Sequence, residues 1–147
     1  MQEGTKGRLR GKVALIGAAA QFPGDTVGSG PAVAERFAQE GATLLLVDIQ
    51  EDWAFATRDA VSAHGPLASV LRADITREDD CRAIAATCVE RYGRIDILHN
   101  NVGRSKGDRR TVDMAADVWD EIMAMNLKGM FMTCKHVLPQ MVLQGSG

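Results

Sequence analysis

Tyrosine occurs once in this chain of 147 residues, cysteine three times and proline four times. Each scarcity excludes something. An odd number of cysteines without C-x-x-C spacing gives no sign of a disulfide framework or a thiolate zinc site. Reduced thiols fit a cytoplasmic protein. Cys81 and Cys88 are seven apart and share a helical face as small core residues. His64, His99 and His136 are scattered without ligand spacing, so no metal site is expected. No apolar run approaches the roughly 18 residues that span a bilayer. The start, Met1 to Lys12, is polar and glycine-rich, and the apolar stretch after it, 13–20, is short and strand-like, so no signal peptide is expected. A net charge of −2 gives no footing for nucleic acid or an anionic membrane. There is no G-x-x-x-x-G-K-S/T, which excludes P-loop chemistry. Repeats, low-complexity tracts and linkers are lacking too.

The remaining 46% hydrophobic and 24% charged residues suit one globular domain. Apolar runs of strand length lie at 13–16, 43–47, 68–71 and 95–98, without polar alternation, as in strands buried on both faces. Helical patterns separate them. Residues 32–40 carry Val33, Ala34, Phe37 and Ala38 on one face and stop at Gly41. Residues 52–63 run to the turn signal His64-Gly65-Pro66. A third helix is expected to be capped by Thr76, with Glu78 and Asp79 at its positive end; Cys81, Ile84, Ala85, Cys88 and Val89 form its stripe and Gly93 its stop. Another helix starts at Thr111 or Asp113 and carries Val118, Trp119, Ile122 and Met125. A last one, about 127–143, is apolar nearly all round and calls for burial by a partner or further structure. Alternating strands and helices make a parallel α/β sheet with helices on both faces.

The first strand opens into a glycine-rich loop, Gly17 to Pro31, followed by a helix. Helix-start N–H groups and the dipole suit a pyrophosphate, and glycines let the backbone approach it. Pro31 suits the first helical position. Asp48 ends the second strand, where an acid accepts hydrogen bonds from ribose hydroxyls and repels a 2′-phosphate. Ile49 and Gln50 bring no cation after it, so NAD is expected in preference to NADP. Asp48 as an N-cap of the next helix is the plainer alternative.

From Arg10 to Gly147 the chain resembles the short-chain dehydrogenase/reductase family. The resemblance rests on Leu9-Arg10-Gly11-Lys12-Val13-Ala14-Leu15-Ile16-Gly17, on the helix around Ala34–Ala42, on Ala73-Asp74-Ile75-Thr76, on Asn100-Asn101-Val102-Gly103 and on Asn126-Leu127-Lys128-Gly129. It implies a Rossmann-type doubly wound parallel sheet of about four strands in the order 3-2-1-4, in one domain over 1–147 with residues 1–10 a loose tail. It implies cofactor contacts at Gly17, Gly28, Gly30, Asp48, Asp74, Ile75, Asn100 and Gly103, with Asn126 as the asparagine of the catalytic tetrad. There are departures. Ile16 stands where the family has a threonine, Val102 replaces the usual alanine, and ten residues separate Gly17 from Gly28 where the pattern has three.

The resemblance also implies a tyrosine proton donor, a lysine four residues on and a serine. The single tyrosine, Tyr92, has Asp96 four residues on and occupies a packing position at a helix end. The missing residues are expected beyond Gly147, together with about three strands and the substrate region. The chain alone is expected to be inactive, marginally stable and prone to associate, and the complete protein to be a homo-oligomer acting on a small alcohol or carbonyl compound. Three functions compete: the NAD-binding part of a dehydrogenase, a non-catalytic dinucleotide-binding or subunit-association module, and a methyltransferase. The Asn100–Gly103 turn and the Asn126–Gly129 segment argue against the last. The basic loop 104–110 reads as a solvated loop, with an anionic substrate as the alternative.

Overall fold

The computed structural model describes residues 7–20, 24, 27–64 and 67–147. Four parallel strands form one sheet: β1 (Val13–Gly17), β2 (Thr43–Asp48), β3 (Ala68–Arg72) and β4 (Ile97–His99), in the order β3-β2-β1-β4. Helices α1 (Ser29–Gln39), α2 (Glu51–Ser62) and α3 (Glu78–Tyr92) alternate with them. A 3₁₀ turn (Thr111–Asp113), α4 (Ala116–Met123), a π-helical turn (Ala124–Gly129) and α5 (Met130–Gln144) follow β4. This is the doubly wound, Rossmann-type arrangement.

Side chains on a strand alternate between faces, and here both faces are covered. Ala14 and Ile16 of β1 and Leu44 and Leu46 of β2 pack with Ala34, Ala38 and Val61 of α1 and α2. Val13, Leu15, Leu45 and Val47 pack with Ile84 and Cys88 of α3 and with Met132 and Val137 of α5. Four consecutive leucine or valine residues in β2 are therefore all buried, which is why no polar alternation shows in its sequence. Burial pushes the Cys81 thiol up to about 11 and the Cys88 thiol to about 12, as inert core groups.

Several expected boundaries move. The third helix is not capped by Thr76: its N-cap is Arg77, because the Thr76 hydroxyl donates to Asp74 Oδ1 at 2.7 Å instead. Pro31 is the third residue of α1 and still lies in the first turn, where its missing N–H costs nothing. β4 begins at Ile97 rather than Ile95, since the main chain of Ile95 bonds to the Gln144 amide, N–H to Oε1 at 3.1 Å and C=O from Nε2 at 2.7 Å. The helix expected from Thr111 or Asp113 is interrupted by extended backbone at Met114 and Ala115. Gly41 and Gly93 close their helices at φ 91° and 78° as expected. Residues 7–10, counted with the tail, are held on the buried Glu40: Gly7 and Arg8 N–H donate to its Oε2, and Leu9 N–H to its main-chain carbonyl. Residues 1–6, and Gly65-Pro66 of the turn signal, lie outside the described residues.

The carboxyl-terminal helices leave a strip of large apolar groups exposed: Trp119, Leu127, Phe131, Leu138, Val142 and Leu143. Only one side of α5, including Met132, Thr133 and Val137, is buried. No helix among the described residues is long and apolar enough to cross a membrane.

The amino ends of β1 and β4 meet on a buried carboxylate. Asp96, its side chain 2% exposed, accepts the Val13 N–H at 2.9 Å and both Nε and Nη2 of Arg94, with Lys12 at 3.5 Å. Burial alone would raise its pKa, but the Arg94 hydrogen bonds, the Val13 N–H and the two cations outweigh it and hold the carboxyl below its usual range. A carboxylate depressed on folding stabilises above its unfolded pKa, and that contribution is lost as pH falls through the folded value. Asp96→Ala should cost about 3 kcal/mol at neutral pH, because Arg94 is left unpaired against a buried main-chain N–H. The gap between urea melts of the two chains should stay constant through neutral pH and narrow as the pH falls below the usual carboxylate range; a gap independent of pH in acid would refute the assignment.

Candidate functional site at the carboxyl edge of the sheet

The chain order reverses between β1 and β4: α1 and α2 cover one face and α3 and α5 the other. In open α/β sheets, ligands bind outside the carboxyl ends of the strands at such a switch point. Gly17 ends β1 there, and Asn100–Gly103 leave β4 beside it. A Cβ on Gly17 would lie 3.2 Å from Val102 Cγ2 and 3.7 Å from the His99 carbonyl oxygen, so the larger Val102 closes tightly on the glycine.

Residues 17–20 turn sharply out of β1. Ala18 takes φ 53°, rare for a residue with a Cβ. Its carbonyl rests against α1, where a Cβ on Gly30 would come within 1.9 Å of Ala18 O. No side chain but hydrogen fits at Gly30. Gly28 is the N-cap of α1, and α1 has no acid in its first turn, whereas α2 and α3 have two and three. Ser29 Oγ donates to Asn101 Oδ1 at 3.0 Å and ties the start of α1 to the β4 turn. A Cβ at Gly103 would meet nothing within 4 Å, so space opens there. Of the long insertion between Gly17 and Gly28, residues 21–23 and 25–26 lie outside the described residues.

Asp48 ends β2 beside this loop. Its Oδ2 accepts the Ala20 N–H at 3.0 Å and its Oδ1 the Gln50 N–H at 2.9 Å. It is not the N-cap of α2, which is Gln50. Asp74 Oδ1 accepts the Thr76 N–H and hydroxyl, and the Asp74 N–H donates to Asp80 Oδ2 at 2.9 Å. Ile75 is buried against Gly129, where a Cβ would come within 2.6 Å of its Cδ1. That contact explains the glycine of Asn126-Leu127-Lys128-Gly129.

The two asparagines differ in what they hold. Asn100 is committed to α5: Oδ1 accepts the Thr133 hydroxyl at 2.8 Å, and Nδ2 faces Cys134 Sγ at 3.4 Å. A cofactor contact at Asn100 would come from its main chain. Asn126 sits in the π-helical turn and grips one residue twice, donating Nδ2–H to Arg104 O at 2.9 Å and accepting Arg104 N–H on Oδ1 at 2.8 Å. π-turns recur at functional sites. The Arg104 guanidinium pairs with Glu121 at 3.0 Å, and the rest of the basic loop is exposed, with Arg110 paired to Asp113.

Tyr92 lies elsewhere. Its hydroxyl bonds Leu44 O at 3.2 Å and Ser69 Oγ at 2.5 Å, at the amino ends of β2 and β3. Burial pushes the phenol up. It is a packing residue at the opposite edge of the sheet from the glycine loop.

Gly17, Gly28, Gly30 and Asp48 thus lie around the turn out of β1, Asn100 and Gly103 follow β4, Asp74 and Ile75 follow β3, and Asn126 holds the segment after Gly103. A glycine cradle, a helix start without acid and an acid at the end of β2 fit a dinucleotide. The sequence reading missed three parts of the edge. Ser29 and Thr133 orient the two asparagines. Arg72 is the register partner of Asp48; its place at the end of the third apolar run was the available signal.

Comparison with known proteins agrees. A family model described as short chain dehydrogenase matches residues 18–147. The 3-oxoacyl-acyl-carrier-protein reductase of Thermotoga maritima is 36% identical over 141 residues, covering 95% of this chain and 54% of that protein. An NAD+-bound xylitol dehydrogenase superposes with TM-score 0.87 at 28% identity, covering 95% of this chain and 52% of the other. A metagenomic short-chain oxidoreductase in complex with NADP gives 0.85 at 27% identity, covering 95% and 60%. The chain spans about half the length of the curated relatives it matches. On fold, on the residues at the sheet edge and on these likenesses, it belongs to the short-chain dehydrogenase/reductase family of oxidoreductases.

Proposed function

We propose that these 147 residues are the NAD(H)-binding part of a short-chain dehydrogenase/reductase whose complete form transfers hydride between NAD(H) and a small alcohol or carbonyl compound in the cytoplasm. The observation that carries the reading is the contact of Gly30 with the Ala18 carbonyl, which sets the start of α1 against the end of β1 with no acid in between. Gly17, Gly28 and Gly30 would admit the pyrophosphate, Asp48 would accept from the adenosine ribose, and Asp74 and Ile75 would flank the adenine. Asn100 and Gly103 would line the path toward the nicotinamide. Bound NAD(H) would supply the hydride acceptor or donor.

Asn126 holds the segment after Gly103 through both main-chain atoms of Arg104, and so orders the side of the edge on which a substrate would rest. Proton transfer to a carbonyl needs a donor within hydrogen-bond reach. Tyr92 is at the wrong edge, with Asp96 rather than a lysine four residues on. These residues therefore bind and position, and the chain by itself does not turn over substrate. The exposed strip from Trp119 to Leu143 favours a further role in subunit association, with a second copy of the protein as the partner.

Three measurements test this. NADH fluorescence titration should show saturable binding to the 147-residue chain, with no oxidation of NADH across a panel of ketones. Gly30→Ala should weaken NADH at least about tenfold, since the added carbon forces the loop off α1. Unchanged affinity in Gly30→Ala, or no binding by the unsubstituted chain, would remove the dinucleotide reading. Sedimentation velocity should show concentration-dependent association that falls when Phe131 and Val142, 62% and 79% exposed, are both changed to Asp. A monomer at every concentration would refute the association role.

A further inference from the structure

The strands β2 and β3 finish side by side, and their last residues, Asp48 and Arg72, are register partners. Partners in a parallel ladder present their side chains to the same face. Leu46 and Val70, two residues earlier on each strand, both pack on the α1 and α2 side, so Asp48 and Arg72 share that side. Arg72 is exposed, and its Nε donates to the carbonyl oxygen of Ile49 at 3.3 Å. The guanidinium thus lies over the main chain that directly follows Asp48. The sequence after Asp48, Ile49-Gln50, has no cation; the fold brings one in from the neighbouring strand.

We propose that Arg72 is a specificity-determining residue for the dinucleotide, supplying the positive charge that a 2′-phosphate on the adenosine ribose would meet beside Asp48. The chain then accepts NADP(H) as a second dinucleotide while still preferring NAD(H). This inference rests on the dinucleotide reading above and adds a residue to it. The physical case has two sides. A guanidinium held by Nε keeps its two terminal nitrogens for a phosphate, which a planar fork binds well. Against it stand the Asp48 carboxylate, fixed by the Ala20 and Gln50 N–H groups, and Glu51 and Asp52 in the first turn of α2. One cation among three anions lessens the repulsion of a phosphate without reversing it, which is why NAD(H) stays ahead. If Arg72 is the counter-charge, removing Asp48 should favour the phosphorylated dinucleotide only while Arg72 is present.

The test is a double-mutant cycle read as dissociation constants for NADH and NADPH by fluorescence titration of the full chain. The unsubstituted chain should bind NADH more tightly than NADPH. Arg72→Gln should weaken NADPH about tenfold and NADH less than about twofold, and Arg72→Lys should restore part of the loss. Asp48→Ala should raise NADPH affinity relative to NADH, and the gain should vanish in Asp48→Ala/Arg72→Gln. A gain that survives in the double variant, or an Arg72→Gln effect equal on both dinucleotides, would overturn the inference while leaving dinucleotide binding intact. If NADH binds and NADPH does not bind even to Asp48→Ala, the inference alone fails. If NADH itself does not bind, the underlying reading fails and takes this one with it.

Discussion

The close approach of Gly30 to the carbonyl of Ala18 is the contact on which the carboxyl edge of the sheet depends. It holds α1 against the end of β1 and keeps Ala18 at φ 53°, a conformation that costs an L-residue about 1 kcal/mol. The surroundings over-determine that turn. Ala19 N–H donates to Val47 O at 3.3 Å, the buried Thr57 hydroxyl donates to Ala19 O at 2.7 Å, and Ala20 N–H donates to Asp48. Residues from β2 and α2 thus converge on the two alanines that follow Ala18. Strain at a residue persists where neighbours fix it, and here the neighbours include the acid at the end of β2. The glycine loop and Asp48 are one hydrogen-bonded unit rather than two separate motifs.

Much of this architecture was legible because burial leaves a simple trace. Leu44, Leu45, Leu46 and Val47 admit no exposed face, and a run of that length between helical patterns has few other homes than a parallel strand covered on both sides. Gly41 and Gly93 announce helix ends because few other residues adopt positive φ easily. What escaped the sequence was competition between partners. Thr76 has the chemistry of a cap, but Asp74 lies two residues back and takes its hydroxyl first. Ile95 belongs to an apolar run, yet its main chain bonds the Gln144 amide, from 49 residues along the chain, and β4 starts later. The π-helical turn at 124–129 leaves no periodicity signature, so α4 and α5 read as two helices rather than one continuous path.

The candidate site was legible in the same uneven way. Gly17 and Asp48 stand out as special residues at strand ends, Asp74 as an acid just after β3, and Gly30 as a glycine at the start of a helix. Arg72 does not, since a lone arginine after an apolar run looks like any solvated side chain, and its meaning comes from the register that sets it beside Asp48. Asn100 and Asn101 are adjacent in sequence but serve opposite sides of the sheet, one bound to Thr133 of α5 and the other to Ser29 of α1. Alternation along extended backbone separates them, and no single-sequence pattern says which amide goes which way.

The α4–α5 path shows how a three-residue strand at an edge of the sheet is kept in place. Among the described residues β4 pairs only with β1 and so has ladder hydrogen bonds on one side. Two side-chain amides act in place of a second neighbour at its flanks. Gln144, the last residue of α5, takes both main-chain groups of Ile95 just before the strand, and Asn126, in the π-helical turn, takes both groups of Arg104 just after the Asn100–Gly103 turn. Each amide matches a peptide unit donor for acceptor, so the segment is satisfied as it would be beside another strand. The wide turn supplies the geometry: an extra residue in the helical path turns Asn126 toward the loop while Gly129, a few residues on, lets the same path press against Ile75. The helix that covers one face of the sheet is thereby also what sets the position of the loop beside the glycine-rich turn, and a change in how α5 packs would be transmitted to that edge through these two amides.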